Sequence, residues 1–199
     1  MTDRITKSRR EILSIGAGAS VLALAGADRS ALAQQASAGV DGFARTMPAE
    51  AVAPGPLVSG DYELTYTENY ASGLRLLGFP EAAILTIVSS ERHRLRIRPD
   101  GPSLVVTDGQ AGGALQLRTP MARDVVGAKV EDWLVYFDRP DRMITSFTAP
   151  SKRKAWMVKR FAPAGMINTV IVEGEGAFVA TRVWTRAPEQ PGIPGVILG

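Results

Sequence analysis

Two arginines stand where an alternating pattern calls for apolar side chains. Arg182 lies in "AFVATRVWTR", residues 177–186, in register with Phe178, Ala180 and Trp184. Arg160 lies in "AWMVKRF", in register with Trp156 and Val158, which leaves Met157 and Lys159 to the opposite face. Period-two alternation marks strands, so both guanidiniums are expected on the aromatic faces of their strands. A charge there is costly unless it is paired or hydrogen-bonded. One answer is an internal acid, such as Glu131 in parity with Trp133, or a snorkelling position at a barrel end. The other is a bound carboxylate, whose two oxygens match the guanidinium fork. An aliphatic tail behind it would bury at ~0.8 kcal/mol per CH₂. Parity alone leaves both open.

Other reactive groups are few. His93 is the single histidine and falls on the apolar parity of "HRLRIR", where a satisfied core or barrel-end imidazole is the plain expectation and a general base the sharper one. Tyr62, Tyr66, Tyr136 and Glu131 could move a proton, but no spacing fixes any two of them together. The chain has no cysteine, hence no thiol nucleophile and no disulfide. With one histidine, only scattered carboxylates such as Asp138 and Asp141 could meet a metal, and their stretch "DRPDR" reads as a solvated hairpin turn. "GQAGG" at 109–113 lacks the strand–turn–helix setting of a nucleotide site. No catalytic set, metal or cofactor is therefore expected. The residues alone leave three classes open: a carrier of a hydrophobic ligand, a small β-barrel isomerase or cyclase acting on a hydrophobic substrate, and a purely structural or partner-binding barrel.

The elements that must position these groups are mostly strands. "DYELTYTE" sets Tyr62, Leu64 and Tyr66 on one face. Tyr70, Leu74 and Leu77 then recur at helical spacing, Gly78 can end that turn, and Pro80-Glu81 can open a second helix to Ser90. From His93 a ladder of short strands runs to Trp184, with "DG" at 100–101 as a hairpin turn. A meander of about ten strands curls, and closing it into a barrel removes its edges. The fold expected from the pattern is all-β, about ten antiparallel strands in an up-and-down barrel, with two short helices after the first strand. Candidate inner residues are Tyr62, Leu64, Tyr66, Leu95, Ile97, Trp133, Val135, Phe137, Trp156, Val158, Phe178 and Trp184. Alternation does not tell a filled core from a cavity. The row Arg92, Arg94, Arg96 and Arg98 falls on the other face, as a solvated stripe or a surface for acidic partners.

The start of the chain reads as an address. "KSRREILSIGAGASVLALAGADRSALA" has a basic pair, an apolar run and a small-x-small end, the layout of a secretory signal over residues 1–33. Arg9 and Arg10, followed by Leu13, resemble a twin-arginine export signal, which implies a periplasmic protein. Beyond that signal 18 basic and 17 acidic residues remain, giving no electrostatic reason to expect nucleic acid. Residues 34–57, rich in Ala, Gly and Pro, read as a flexible tether, and 187–199 as a tail.

Two stretches carry a family resemblance. "SGDYELTYTENYASGLRLLGFPEAA" resembles the opening of the intracellular lipid-binding proteins, the fatty-acid-binding proteins and their retinoid-binding relatives. "KRFAPAGMINTVIVEGEGAFVATRVWTR" is similar to their last hairpins, including a closing Thr-Arg-x-aromatic. The resemblance covers Val58–Arg186 and implies a ten-stranded barrel with a helical portal and a fatty acid or similar small hydrophobic ligand inside. In that family an Arg-x-Tyr pair on the last strand and an earlier arginine hold a carboxylate. Here Arg182 takes the first place, Trp184 stands where the tyrosine does, and Arg160 matches the earlier arginine. The implied ligand-binding set is Arg160, Arg182, Trp184, Trp156, Trp133, Phe137 and Tyr66. A monomeric carrier with transient membrane contact is the expectation.

Overall fold

The computed structural model describes residues 42–89, 94–108, 113–174 and 179–187, apart from the side chains of Asp108 and Val179. The expected signal, the tail beyond 187, His93, Phe178 and the "GQAGG" core lie outside the described residues. A 3-10 turn (Pro56–Val58) leads into β1 (Gly60–Glu68), α1 (Tyr70–Leu76) and α2 (Glu81–Ser89). Nine further strands follow: β2 (Arg94–Asp100), β3 (Ser103–Asp108), β4 (Gly113–Gln116), β5 (Met121–Val125), β6 (Ala128–Arg139), β7 (Arg142–Thr148), β8 (Lys154–Ala162), β9 (Gly165–Val172) and β10 (Val179–Arg186). They form one antiparallel sheet in the order β4-β3-β2-β1-β10-β9-β8-β7-β6-β5. First and last strands pair, so the meander curls back on itself, as the alternation and turn spacing require.

The curl is not a complete ring of ladders. β4 and β5 are the two ends of the strand order. Near them the chain crosses by a parallel bridge between Leu117 and Val135, with the Arg118 amide donating to the Val135 carbonyl at 2.7 Å. Register shifts between Leu64 and Tyr66, Met121 and Arg123, Glu131 and Leu134, and Phe137 and Arg139 bend the strands. Such bulges add local twist and let a sheet turn a corner.

Both helices sit on the chain immediately after β1. Gly78, at φ +79°, ends α1 in a Schellman motif: its N–H donates to Arg75 O and that of Phe79 to Leu74 O. A Cβ at Gly78 would sit 2.8 Å from the Ser151 nitrogen, which itself donates to Leu77 O. The cap is thus held against the turn between β7 and β8. Leu74, Leu77 and Ile84 pack with Phe147 and Val170 beneath the helices. At the other end Val58, Tyr62, Phe137, Phe161, Met166 and Trp184 fill the barrel floor.

A third cluster lies on the outside and changes the reading of residues 42–57. Phe43 packs against Trp156 at 6.3 Å, over Tyr136, Ile144, Val158 and Ile171. Tyr136 donates to Ala44 O at 2.7 Å, Trp156 Nε1 donates to Arg45 O, and Arg118 reaches the carbonyls of Pro48, Ala49 and Glu50. Gly55 N donates to Pro140 O at 2.8 Å. From residue 42 the segment is therefore a strap on the barrel and not a tether. Its backbone polar groups have fixed partners, which a Pro-rich composition does not reveal. "DRPDR" is likewise no solvated hairpin throughout: Asp138 and Arg142 are 4% and 7% exposed and pair at 2.6 Å, beside Ala44 N and Gly42 O.

Candidate ligand cavity

Beneath the helices the barrel holds a cavity of about 930 Å³, partly open to solvent, near the upper end of the range for small-molecule sites. Its wall is mainly apolar, with Leu74, Leu95, Met143, Phe147, Met157 and Val170 among the contributors. Trp133 stacks on Phe147 at 5.3 Å, and the Arg123 guanidinium lies 5.3 Å from the Trp133 ring near Asp124 and Val126.

One rung of this wall is polar. Register places Lys159 on β8 opposite Asn168 on β9, and Asn168 opposite Arg182 on β10. All three line the cavity. The rungs on either side are apolar: Met157, Val170 and Ala180 toward the cap, Phe161, Met166 and Trp184 toward the floor. Arg182 is 7% exposed. Its guanidinium carbon lies 3.5 Å from the centre of the Tyr70 ring, and one terminal nitrogen donates to Ile87 O at 3.4 Å. Among the described residues no carboxylate pairs with it, and its buried Nε has no hydrogen-bond partner. Burial lowers its pKa, and the Tyr70 side chain opposes that shift. Asn168 Oδ1 and Trp133 Nε1 are also buried without partners. Two unused donors, Arg182 Nε and the Trp133 indole N–H, and one unused acceptor, Asn168 Oδ1, thus share one largely apolar chamber. Buried polar groups normally find partners, so the donors suit a guest with an anionic end, whereas the Asn168 oxygen calls for a donor such as a hydroxyl.

Of the residues singled out from sequence, Arg182, Trp184 and Trp133 line the cavity. Phe137 is buried in the floor cluster below it. Trp156, Arg160 and Tyr66 do not face it. Trp156 belongs to the outer cluster under the strap, and Arg160 is exposed. The parity of β8 is the reverse of the expected one because both faces are apolar: Phe43 covers Trp156 outside, while Met157 and Phe161 serve the inside. Phe161, on Lys159's parity, was the available signal that Lys159 points inward. Tyr66 is displaced by the bulge after Leu64. Leu64 pairs with inward Trp184, but Tyr66 pairs with Val183 on the outer parity.

The other candidate proton-transfer groups are committed elsewhere. Tyr62 OH donates to Leu57 O at 2.7 Å, Tyr136 OH to the strap, and Glu131 pairs with Lys152 at the surface, not with either arginine. On the outer face of β2, Arg96 makes a two-pronged contact to Asp61 and Arg98 lies 3.6 Å from the same carboxylate, while Arg94 lies 4.0 Å from Glu63 and also borders the cavity. The Arg96 hydrogen bond is the chief reason the Asp61 pKa is lowered. No group of three or more metal-ligating side chains occurs among the described residues.

No protein-family model matches the chain, and no curated protein matches it by sequence. Solved structures do match in fold. A Schistosoma mansoni fatty acid binding protein in complex with arachidonic acid aligns with TM-score 0.56 and 17% identity, over 67% of this chain and 98% of that one. The fatty-acid-binding protein of Manduca sexta aligns with TM-score 0.55 and 16% identity, over 65% and 98%. A heat soluble (SAHS) protein of Ramazzottius varieornatus aligns with TM-score 0.54 and 14% identity, over 69% and 100%. The chain therefore shares the fold of the fatty-acid-binding proteins: ten antiparallel strands in a curled barrel under two short helices. That fold is shared by differently described proteins, so function rests on the site.

Proposed function

We propose that this protein binds and carries a fatty acid, or a similar hydrophobic molecule with an acidic headgroup, in the cavity beneath its helices. The observation that carries the reading is Arg182: a buried cation with an unpartnered Nε and no partner acid among the described residues, inside a largely apolar chamber of about 930 Å³. A carboxylate supplies the missing acceptor and charge, and an acyl tail supplies apolar surface for the wall. Asn168 stands next to Arg182 on the same rung, with Lys159 one strand further along, and together they form the headgroup site, while Trp184 closes it toward the floor.

The setting proposed is the periplasm, on the strength of the Arg9-Arg10 export-type leader. A monomer suffices, since the cavity is built by one chain. Exposed Leu85, Val88 and Val126 lie on or beside elements that line the cavity, and support transient contact with a membrane during loading. No helix among the described residues is long and apolar enough to cross one.

The direct test is native mass spectrometry of protein purified without added ligand, followed by lipid extraction and titration with a fatty-acid panel. Retention of an acidic amphiphile that is lost in Arg182→Met is expected. An empty chamber that binds no member of the panel overturns the reading, and turnover of a bound compound replaces it with the enzymatic one.

A further inference from the structure

Arg182 touches the cap as well as the barrel. Its guanidinium lies over the ring of Tyr70, the first residue of α1, and also donates to the Ile87 carbonyl of α2. The two contacts use different parts of the group. Stacking occupies the flat face of the guanidinium, whereas hydrogen bonds leave in its plane. Tyr70 can therefore hold the plane while Nε, which has no partner, remains available as an in-plane donor. A long Arg side chain otherwise loses considerable rotamer freedom on binding an anion.

We propose that Tyr70 is a positioning residue for anion recognition: by stacking on Arg182 it presets the guanidinium edge and ties headgroup binding to docking of the helical cap. The proposal rests on the carrier reading above but concerns a different residue and a different observable. Coupling of this kind is reciprocal. If the docked cap orients Arg182 for an anion, a bound anion must hold α1 more firmly than a neutral ligand of the same tail does.

The experiment compares oleate with oleyl alcohol on the wild-type chain, Tyr70→Leu and Tyr70→Phe, with amide hydrogen exchange of α1 as a second readout. The oleate-to-alcohol affinity ratio should fall about tenfold in Tyr70→Leu, the equivalent of one ordinary cation–π contact. Tyr70→Phe, which keeps the ring, should restore it. Because the ratio cancels general loss of wall area, a Tyr70 that only lines the cavity would weaken both ligands alike, and that result overturns the proposal. In wild type oleate should slow α1 exchange more than the alcohol does, and the excess should vanish in Tyr70→Leu. A ligand-free arm separates this proposal from the carrier reading. If neither ligand binds wild type, the carrier reading fails. The tie to the cap still predicts severalfold faster α1 exchange in Arg182→Met and Tyr70→Leu. Unchanged exchange in both variants refutes it.

Discussion

At the scale of the residue, the energetics concentrate on Arg182 and on the group that packs outside the same wall, Tyr136. Arg182 is held by a ring face and one long hydrogen bond, and burial opposes its charge. Replacing it with methionine removes charge-assisted hydrogen bonding worth roughly 1.5–3 kcal/mol. Affinity for a carboxylate ligand should therefore fall about ten- to hundredfold, while a neutral ligand of equal tail length binds at least as well; calorimetric titration of both decides. Tyr136 behaves oppositely with pH. Burial first, then the nearby Asp138 charge, pushes its phenol up to about 12, above the ordinary 10. The protonated form is thus the one the fold favours. Its contribution is complete below pH 10 and is lost as pH rises from about 10 to 12. An alkaline series of melting temperatures should show this loss, and Tyr136→Phe should lower stability at neutral pH by ~1 kcal/mol while removing part of the alkaline fall.

At the scale of the element, the strap over residues 42–57 explains why β8 is apolar on both faces. Phe43, 9% exposed, closes the outer surface over Trp156. Phe43→Ala should cost about 3 kcal/mol, measured by denaturant unfolding, and should leave the cavity's ligand preference intact. Asp138 is the strap's buried anchor, accepting from Arg142 and from Ala44 N. Asp138→Ala strands the Arg142 charge and should cost about 3–5 kcal/mol, as much as or more than Phe43→Ala. Equal stability of wild type and this variant would mean the strap does not bury the pair in solution. The β9–β10 pairing depends similarly on Gly165, where a Cβ would run into the Trp184 carbonyl. Gly165→Ala should therefore disturb the floor beside Trp184 and lower the melting temperature.

At the scale of the whole molecule, a curled ten-strand sheet with an unfilled centre leaves stability available from its guest. A ligand that binds only the folded state stabilises by mass action, about 2.7 kcal/mol at one hundred times its Kd. For a domain of this size that is a rise in melting temperature on the order of 5–10 °C. A fatty acid should produce the shift in wild type and a much smaller one in Arg182→Met at the same concentration. The β4 and β5 ends of the strand order meet through a bridge and a strap and not through a full ladder.

The sequence by itself determined the order of strands and helices, the two short helices after the first strand, and the inward placement of Arg182, Trp184 and Trp133. Those features follow from local periodicity and turn chemistry, which act over a few residues. Only the tertiary structure decided where Arg160, Lys159, Tyr66 and Trp156 point. A single bulge after Leu64 reverses every side chain beyond it, and a strap from more than one hundred residues away makes the outer face of β8 as apolar as the inner one. Alternation reports that a side chain is buried, but which side buries it depends on what the rest of the chain lays over that strand.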